Sequence, residues 1–229
     1  MNGLRQSALA IWWLAQHDLR RESRAWRVAP SMLLLGALLV MLMSAQIELP
    51  AAWKADVAAG LYWLAVFFAG TLALERSFAG ERDSEGGQAL QVYPLAPWTI
   101  YVAKLLVNFV AIFGLQIVVA GALVVFADVP LLKRPGLLLM VAVLANLGYA
   151  AVGTVAAALT ARITRRGGLL ALVLLPLVTP VVLAATDATR ALVADEPSGN
   201  WLRGTQLLAA FAVLFTTLGA LLFDGLTEE

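Results

Sequence analysis

Residues 75–97 read ERSFAGERDSEGGQALQVYPLAP, from Glu75 to Pro97, and form the longest polar interruption between two apolar runs of the chain. Six charged residues (Glu75, Arg76, Glu81, Arg82, Asp83 and Glu85) fall within eleven positions. A glycine pair, Gly86 and Gly87, follows, then a short amphipathic run carrying Leu90 and Val92, then Pro94 and Pro97. In a chain that is 61% hydrophobic and 14% charged, this density of charge is unusual. It marks the stretch as the place where a soluble partner would push on a membrane protein.

The runs on either side explain why a membrane is invoked. Soluble domains are about 45–50% apolar, whereas this chain of 229 residues has a mean hydropathy of +0.84. Its apolar runs reach the roughly 20 residues that a bilayer-crossing helix needs. Six spans are predicted, at about 30–47, 57–74, 100–127, 136–161, 168–186 and 205–223. Lipid offers no partner for backbone N–H and C=O groups, so each span must be helical. The predicted fold class is therefore an all-α membrane protein, a single transmembrane domain over residues 1–229. Residues 1–29 carry Leu4, Ala8, Ile11, Trp12, Ala15 and Leu19 at spacings of three and four, followed by Arg20, Arg21, Arg24 and Arg27. This pattern predicts an amphipathic helix lying against lipid headgroups, the alternative being a loose tail.

Charge orients the bundle. With the N-terminus in the cytoplasm, eleven of the sixteen Lys and Arg residues fall inside, including Arg76, Arg82, Lys104, Arg162, Arg165 and Arg166. Five fall outside: Lys54, Lys133, Arg134, Arg190 and Arg203. The positive-inside rule then puts both termini and Glu75–Pro97 in the cytoplasm. Trp26, Trp53, Trp98 and Trp201 sit near span ends, where an interfacial aromatic belt lies.

The polar inventory excludes several functions. There is no G-x-x-x-x-G-K-[ST] phosphate loop, so the chain does not hydrolyse a nucleotide by that route. A net charge of +1 gives no electrostatic case for nucleic acid. Absence of Cys removes thiolate ligands and nucleophiles. The single His, His17, lies among charges, where a solvated imidazole is expected over a haem or metal ligand. No carboxylate sits mid-span, which argues against a proton-driven carrier. No nucleophile is paired with a base. Within the spans, Lys104 is expected to snorkel to the interface, while Asn108, Gln116 and Asn146 lie deeper. Ala142, Asn146, Ala150, Thr154 and Ala158 form a stripe of small residues suited to a close helix contact, within the chain or with a second subunit. Pro176 and Pro180 predict a kinked or broken fifth span. Residues 195–199 (DEPSG) read as a solvated outer turn. No catalytic, cofactor-binding or metal-binding residue is assigned.

Three stretches taken together carry a family resemblance: LALER at Leu72–Arg76, PLAP at Pro94–Pro97 with Lys104, and RGGLLALVLLPLVTP at Arg166–Pro180. Their order resembles the type 2 exporter permeases of ABC transporters and, more closely, the CcmB permeases of cytochrome c maturation. The resemblance covers essentially the whole chain. It implies a cytoplasmic coupling helix between spans 2 and 3, docked on an ATPase like CcmA. It further implies membrane partners like CcmC and CcmD, and location in the bacterial inner membrane. ATP would be used by the partner, and haem would be handled by the complex. On this reading Glu75, Arg76, Glu81, Arg82, Asp83 and Glu85 contact the ATPase. Leu90 anchors, Gly86 and Gly87 let the backbone turn, and Pro94 fixes the exit. Arg162, Arg165 and Arg166 form a second inner loop. A paired ATPase has two docking sites, so a homodimer is expected. A permease for another cargo (drug, lipid or glycan) and a non-transporting scaffold are the competing readings.

Overall fold

The structure, a computed structural model, describes residues 10–16, 38, 41, 51–82, 96–127, 129–163, 169–195 and 198–227. Among them, regular structure is entirely helical. Five long helices follow in order: α1 (Ala51–Arg82), α2 (Pro97–Ala127), α3 (Pro135–Ile163), α4 (Leu169–Val193) and α5 (Ser198–Thr227), with one 3-10 turn at Leu131–Lys133. All five are long and apolar enough to cross a membrane. They match predicted spans two to six. The first predicted span lies outside the described residues except for Leu38 and Met41, both helical and exposed. Of the predicted interfacial helix, residues 10–16 are helical, with Trp12 and Trp13 exposed and Ala15 buried.

Proline starts two of the helices. Pro97 is the first residue of α2 and Pro135 of α3, where a fixed φ helps and a missing N–H costs nothing. Proline inside a helix is tolerated in α4. α4 continues through Pro176 and Pro180 without interruption, so the fifth span is not broken. Both prolines are exposed on the outer surface, where no neighbouring helix has to fit against the ring.

Helix α3 runs through the middle. It packs against α1, α2, α4 and α5, and those four close a ring around it in the order α1, α2, α5, α4. Small side chains make that position possible. Ala142, Ala145, Ala150, Ala151, Ala156 and Ala157 are all buried, as is Gly153, which lies against Leu74. Lipid tails are as apolar as leucine, so close van der Waals approach and a few polar bonds hold such helices together. The expected small-residue stripe is spent within the chain: Asn146 and Thr154 both bond to α2.

The two ends of the bundle differ. At one end Arg190 pairs with Asp56 at 3.6 Å, and Arg134 of the α2–α3 connection pairs with Asp195 beyond α4. Asp195 has a φ of 58°, a left-handed conformation that Asp tolerates better than most residues. Since half-exposed ion pairs contribute about 0–1 kcal/mol, Arg134→Ala should move the thermal midpoint of the purified chain by less than about 3 °C. A larger drop in a melting scan would mean that this pair fixes the loops. The opposite end collects the C-termini of α1, α3 and α5 and the N-termini of α2 and α4. There Tyr101 of α2 lies against Gly219 and Phe223 of α5.

Candidate functional site

Two features of the bundle are candidates for function: the end where α1 stops and α2 begins, and a polar seam between the helices.

At that end, α1 carries on past its apolar part. Its membrane-spanning window is Ala55–Glu75, yet the helix continues to Arg82. Seven further residues add about 10 Å of helix. Thus residues 75–82, the first part of the charged stretch, continue the helix beyond the span, whose end at Glu75 agrees with the predicted limit at residue 74. The local reason is plain: ERSFAGER has no proline and only one glycine, so nothing stops propagation. Glu75 is half-buried. Arg76, Glu81 and Arg82 lie on this helix, although their side chains are outside the described residues. So are Asp83, Glu85, Gly86, Gly87, Leu90 and Pro94 altogether. Arg162 lies in the last turn of α3, its side chain again outside the described residues, as are Arg165 and Arg166. The α1–α2 and α3–α4 connections leave from the same end of the bundle, because α2 and α4 each run back from it.

The polar seam lies between α2, α3 and α1. Asn108 donates from Nδ2 to Thr154 Oγ1 at 2.9 Å, and Thr154 donates onward to the Ala150 carbonyl at 2.7 Å. Asn146 donates from Nδ2 to the Phe109 carbonyl at 2.9 Å. Nearer α1, the hydroxyls of Thr71 and Tyr149 lie 2.8 Å apart, and each lies within bonding distance of the Phe67 carbonyl, at 2.8 and 2.7 Å. Two hydroxyl hydrogens serve three contacts, so the carbonyl and one hydroxyl share the acceptor work. Gly70 makes room for the Tyr149 ring: a Cβ there would come within 2.7 Å of it. On the far side, Trp63 Nε1 donates to Thr189 Oγ1 at 3.0 Å, tying α1 to α4.

Lys104 departs from expectation. It does not reach out into solvent: it is 5% exposed, covered by protein, and has an interaction partner. The helix that carries it packs against three others, α1, α3 and α5. Thr71 and Tyr149 were not singled out from the sequence. The available signal was a tyrosine in mid-span, away from the interfacial belt where tyrosines usually sit.

Loss of a single bond in the seam has a limited cost. Interhelical hydrogen bonds in membranes are worth about 0.6 kcal/mol on average, at most about 1.7. Asn108→Leu keeps the branched shape, and Thr154 still bonds to Ala150. The thermal midpoint should fall by about 2–5 °C, with the helix content by circular dichroism unchanged at low temperature. Loss of the folded state would mean that this bond organises the bundle.

A comparison with known families and proteins agrees with the layout. The family model described as CcmB protein matches residues 9–224. Heme exporter protein B of Pseudomonas aeruginosa is 34% identical over 162 residues, covering 69% of this chain and 70% of that protein. A match that runs from the N-terminal helical stretch through α5, on a bundle of membrane-crossing helices, leaves one assignment: the chain belongs to the CcmB family.

Proposed function

We propose that this chain is the permease subunit of an ATP-driven complex of cytochrome c maturation in the bacterial inner membrane. The observation that carries the reading is the family match over residues 9–224 of a multi-helix membrane bundle. The name of the Pseudomonas relative, a haem exporter protein, supplies the cargo class. The chain does not hydrolyse ATP itself. A separate ATPase, like CcmA, would hydrolyse it, and the motion would reach the bundle through the residues after α1.

The mechanism follows from mechanics more than from chemistry. α1 is a stiff helix that runs from the Asp56–Arg190 contact at one end to Arg82 at the other. A force applied at residues 75–95 is delivered along its axis to Tyr149, Thr189 and the central α3. Docking would use Glu81, Arg82, Asp83 and Glu85 for register and Leu90 for an apolar anchor. Gly86 and Gly87 would supply the turn and Pro94 the exit towards α2. Arg162, in the last turn of α3 at the same end, with Arg165 and Arg166 after it in sequence, would supply a second contact. The N-terminal residues 1–29 lie in the headgroup layer, and both termini are cytoplasmic. Two docking sites on an ATPase pair call for two copies of this chain, joined by partners like CcmC and CcmD. ATP hydrolysis drives haem export or release of a haem-loaded chaperone.

The test is a mild-detergent pull-down of the tagged chain from its native membrane, with the co-purifying proteins identified. An ATPase together with a CcmC-like haem protein is the expected result. An ATPase accompanied by no haem protein would assign the chain to another cargo. Recovery of neither from a folded preparation would make it a scaffold.

A further inference from the structure

The seam contains polar atoms that the protein itself does not satisfy. Gln116 of α2 is 1% exposed, and neither its Nε2 nor its Oε1 has a hydrogen-bond partner. Asn146 of α3 is 0% exposed, and its Oδ1 is likewise unpartnered. The orientation of Asn146 is fixed by chemistry. Its Nδ2 faces the Phe109 carbonyl, which can only accept, so the free atom must be the oxygen. Buried carboxamides of this kind are costly in a hydrocarbon interior and are rare in folded proteins.

Their positions on the helices are related. Gln116 and Phe109 are seven residues apart, two turns of α2, and so share a face. That interval rises about 10 Å. The Phe109 carbonyl points down it, and side chains in a helix lean back towards the N-terminus, up it. The Gln116 amide therefore approaches the level at which Asn146 meets α2. Three unpartnered atoms (two acceptors and one donor) are thus buried on two adjacent helices. A buried water needs two to four polar partners, and this set meets that need. An apolar ligand would leave all three unsatisfied.

We propose that the α2–α3 interface holds a bound water at mid-membrane depth, bridging Gln116 to Asn146 Oδ1. The water accepts from Gln116 Nε2 and donates to Asn146 Oδ1. The site lies inside the bundle, away from the charged end of α1, and does not depend on the proposed function.

A double-mutant cycle on the full chain in detergent tests it, with thermal midpoints of Gln116→Leu, Asn146→Leu and the double variant. A shared water makes the two residues partners: each single change lowers the midpoint, and the double variant loses at least about 3 °C less than the sum. Losses that add to within about 1 °C, or a rise with Gln116→Leu alone, would overturn the proposal. An experimental map at about 2 Å resolution gives a second reading that needs no variant. One isolated density within hydrogen-bond distance of both carboxamides is expected. A direct bond from Gln116 to another protein group, or a density too large for water, refutes it.

Discussion

Replacing Gly204 by leucine should lower the thermal midpoint of the purified chain by roughly 5–10 °C, or prevent its recovery in folded form. Gly204 sits where α5 crosses α4 at closest approach. A Cβ there would meet the Ala184 carbonyl oxygen at 2.8 Å and the Ala188 Cβ at 2.9 Å. The first of these atoms is backbone and cannot swing aside. Ala184 and Ala188 are one turn apart and buried, so the whole α4 surface at that level is built to accept a glycine. Overpacking of this kind costs about 1–3 kcal/mol and sometimes more, and 1 kcal/mol corresponds to about 2–4 °C in a chain of this size. Gly121→Ala is the control. A Cβ at Gly121 meets nothing within 4 Å, and alanine is the better helix former by about 1 kcal/mol. The midpoint of that variant should hold or rise slightly. Equal losses at the two sites, read by melting scans, would show that packing at α4–α5 is not what holds the bundle.

The double reversal Arg82→Glu with Asp83→Lys should reduce co-purification of the ATPase at least about tenfold. Each exposed ion pair is worth only about 0–1 kcal/mol. Reversal does more than remove pairs, since it sets like charges against one another, and about 1.4 kcal/mol in total suffices for a tenfold loss. Arg82 is the last residue of α1, beyond the membrane-spanning window. The exchange keeps the net charge and should leave the thermal midpoint within about 2 °C of the parent chain. Undiminished ATPase recovery from equal amounts of folded chain would remove residues 81–85 from the docking surface. Leu90→Asp, which strikes the proposed apolar anchor, would then decide whether the rest of the stretch docks at all.

Much of this architecture could be read from residue order. Apolar runs of membrane-crossing length, broken by short polar loops, dictate helices because lipid leaves backbone groups no other partner. Five of the six predicted spans coincide with described helices to within a few residues at most ends. α1 outlasts its apolar segment and runs to Arg82, because helix propagation depends on backbone and propensity, whereas span limits were drawn from hydropathy. α4 remains apolar enough to cross a membrane as far as Val193, beyond the predicted limit at residue 186. The charged stretch after Glu75 was legible for the same reason that the spans were: it is a change in composition, which is local. The family resemblance was also carried by local order, LALER before PLAP before RGG.

What residue order could not decide is which helix stands in the middle. α2 is the more apolar helix, yet α3 is central, since in lipid a helix is chosen for the interior by small side chains and polar bonds that reach several neighbours at once. Only the packed structure shows that Lys104 is covered, that the stripe on α3 is spent on α2, and that Thr71, Tyr149 and the Phe67 carbonyl meet. These depend on the rotation of each helix about its own axis, which apolar faces that all look alike to lipid do not specify. The pairing of Asn146 with Phe109, and the burial of Gln116 without a protein partner, belong to the same class. Hydropathy determined that these segments cross the membrane; close packing around α3 determined which of their few polar groups find one another.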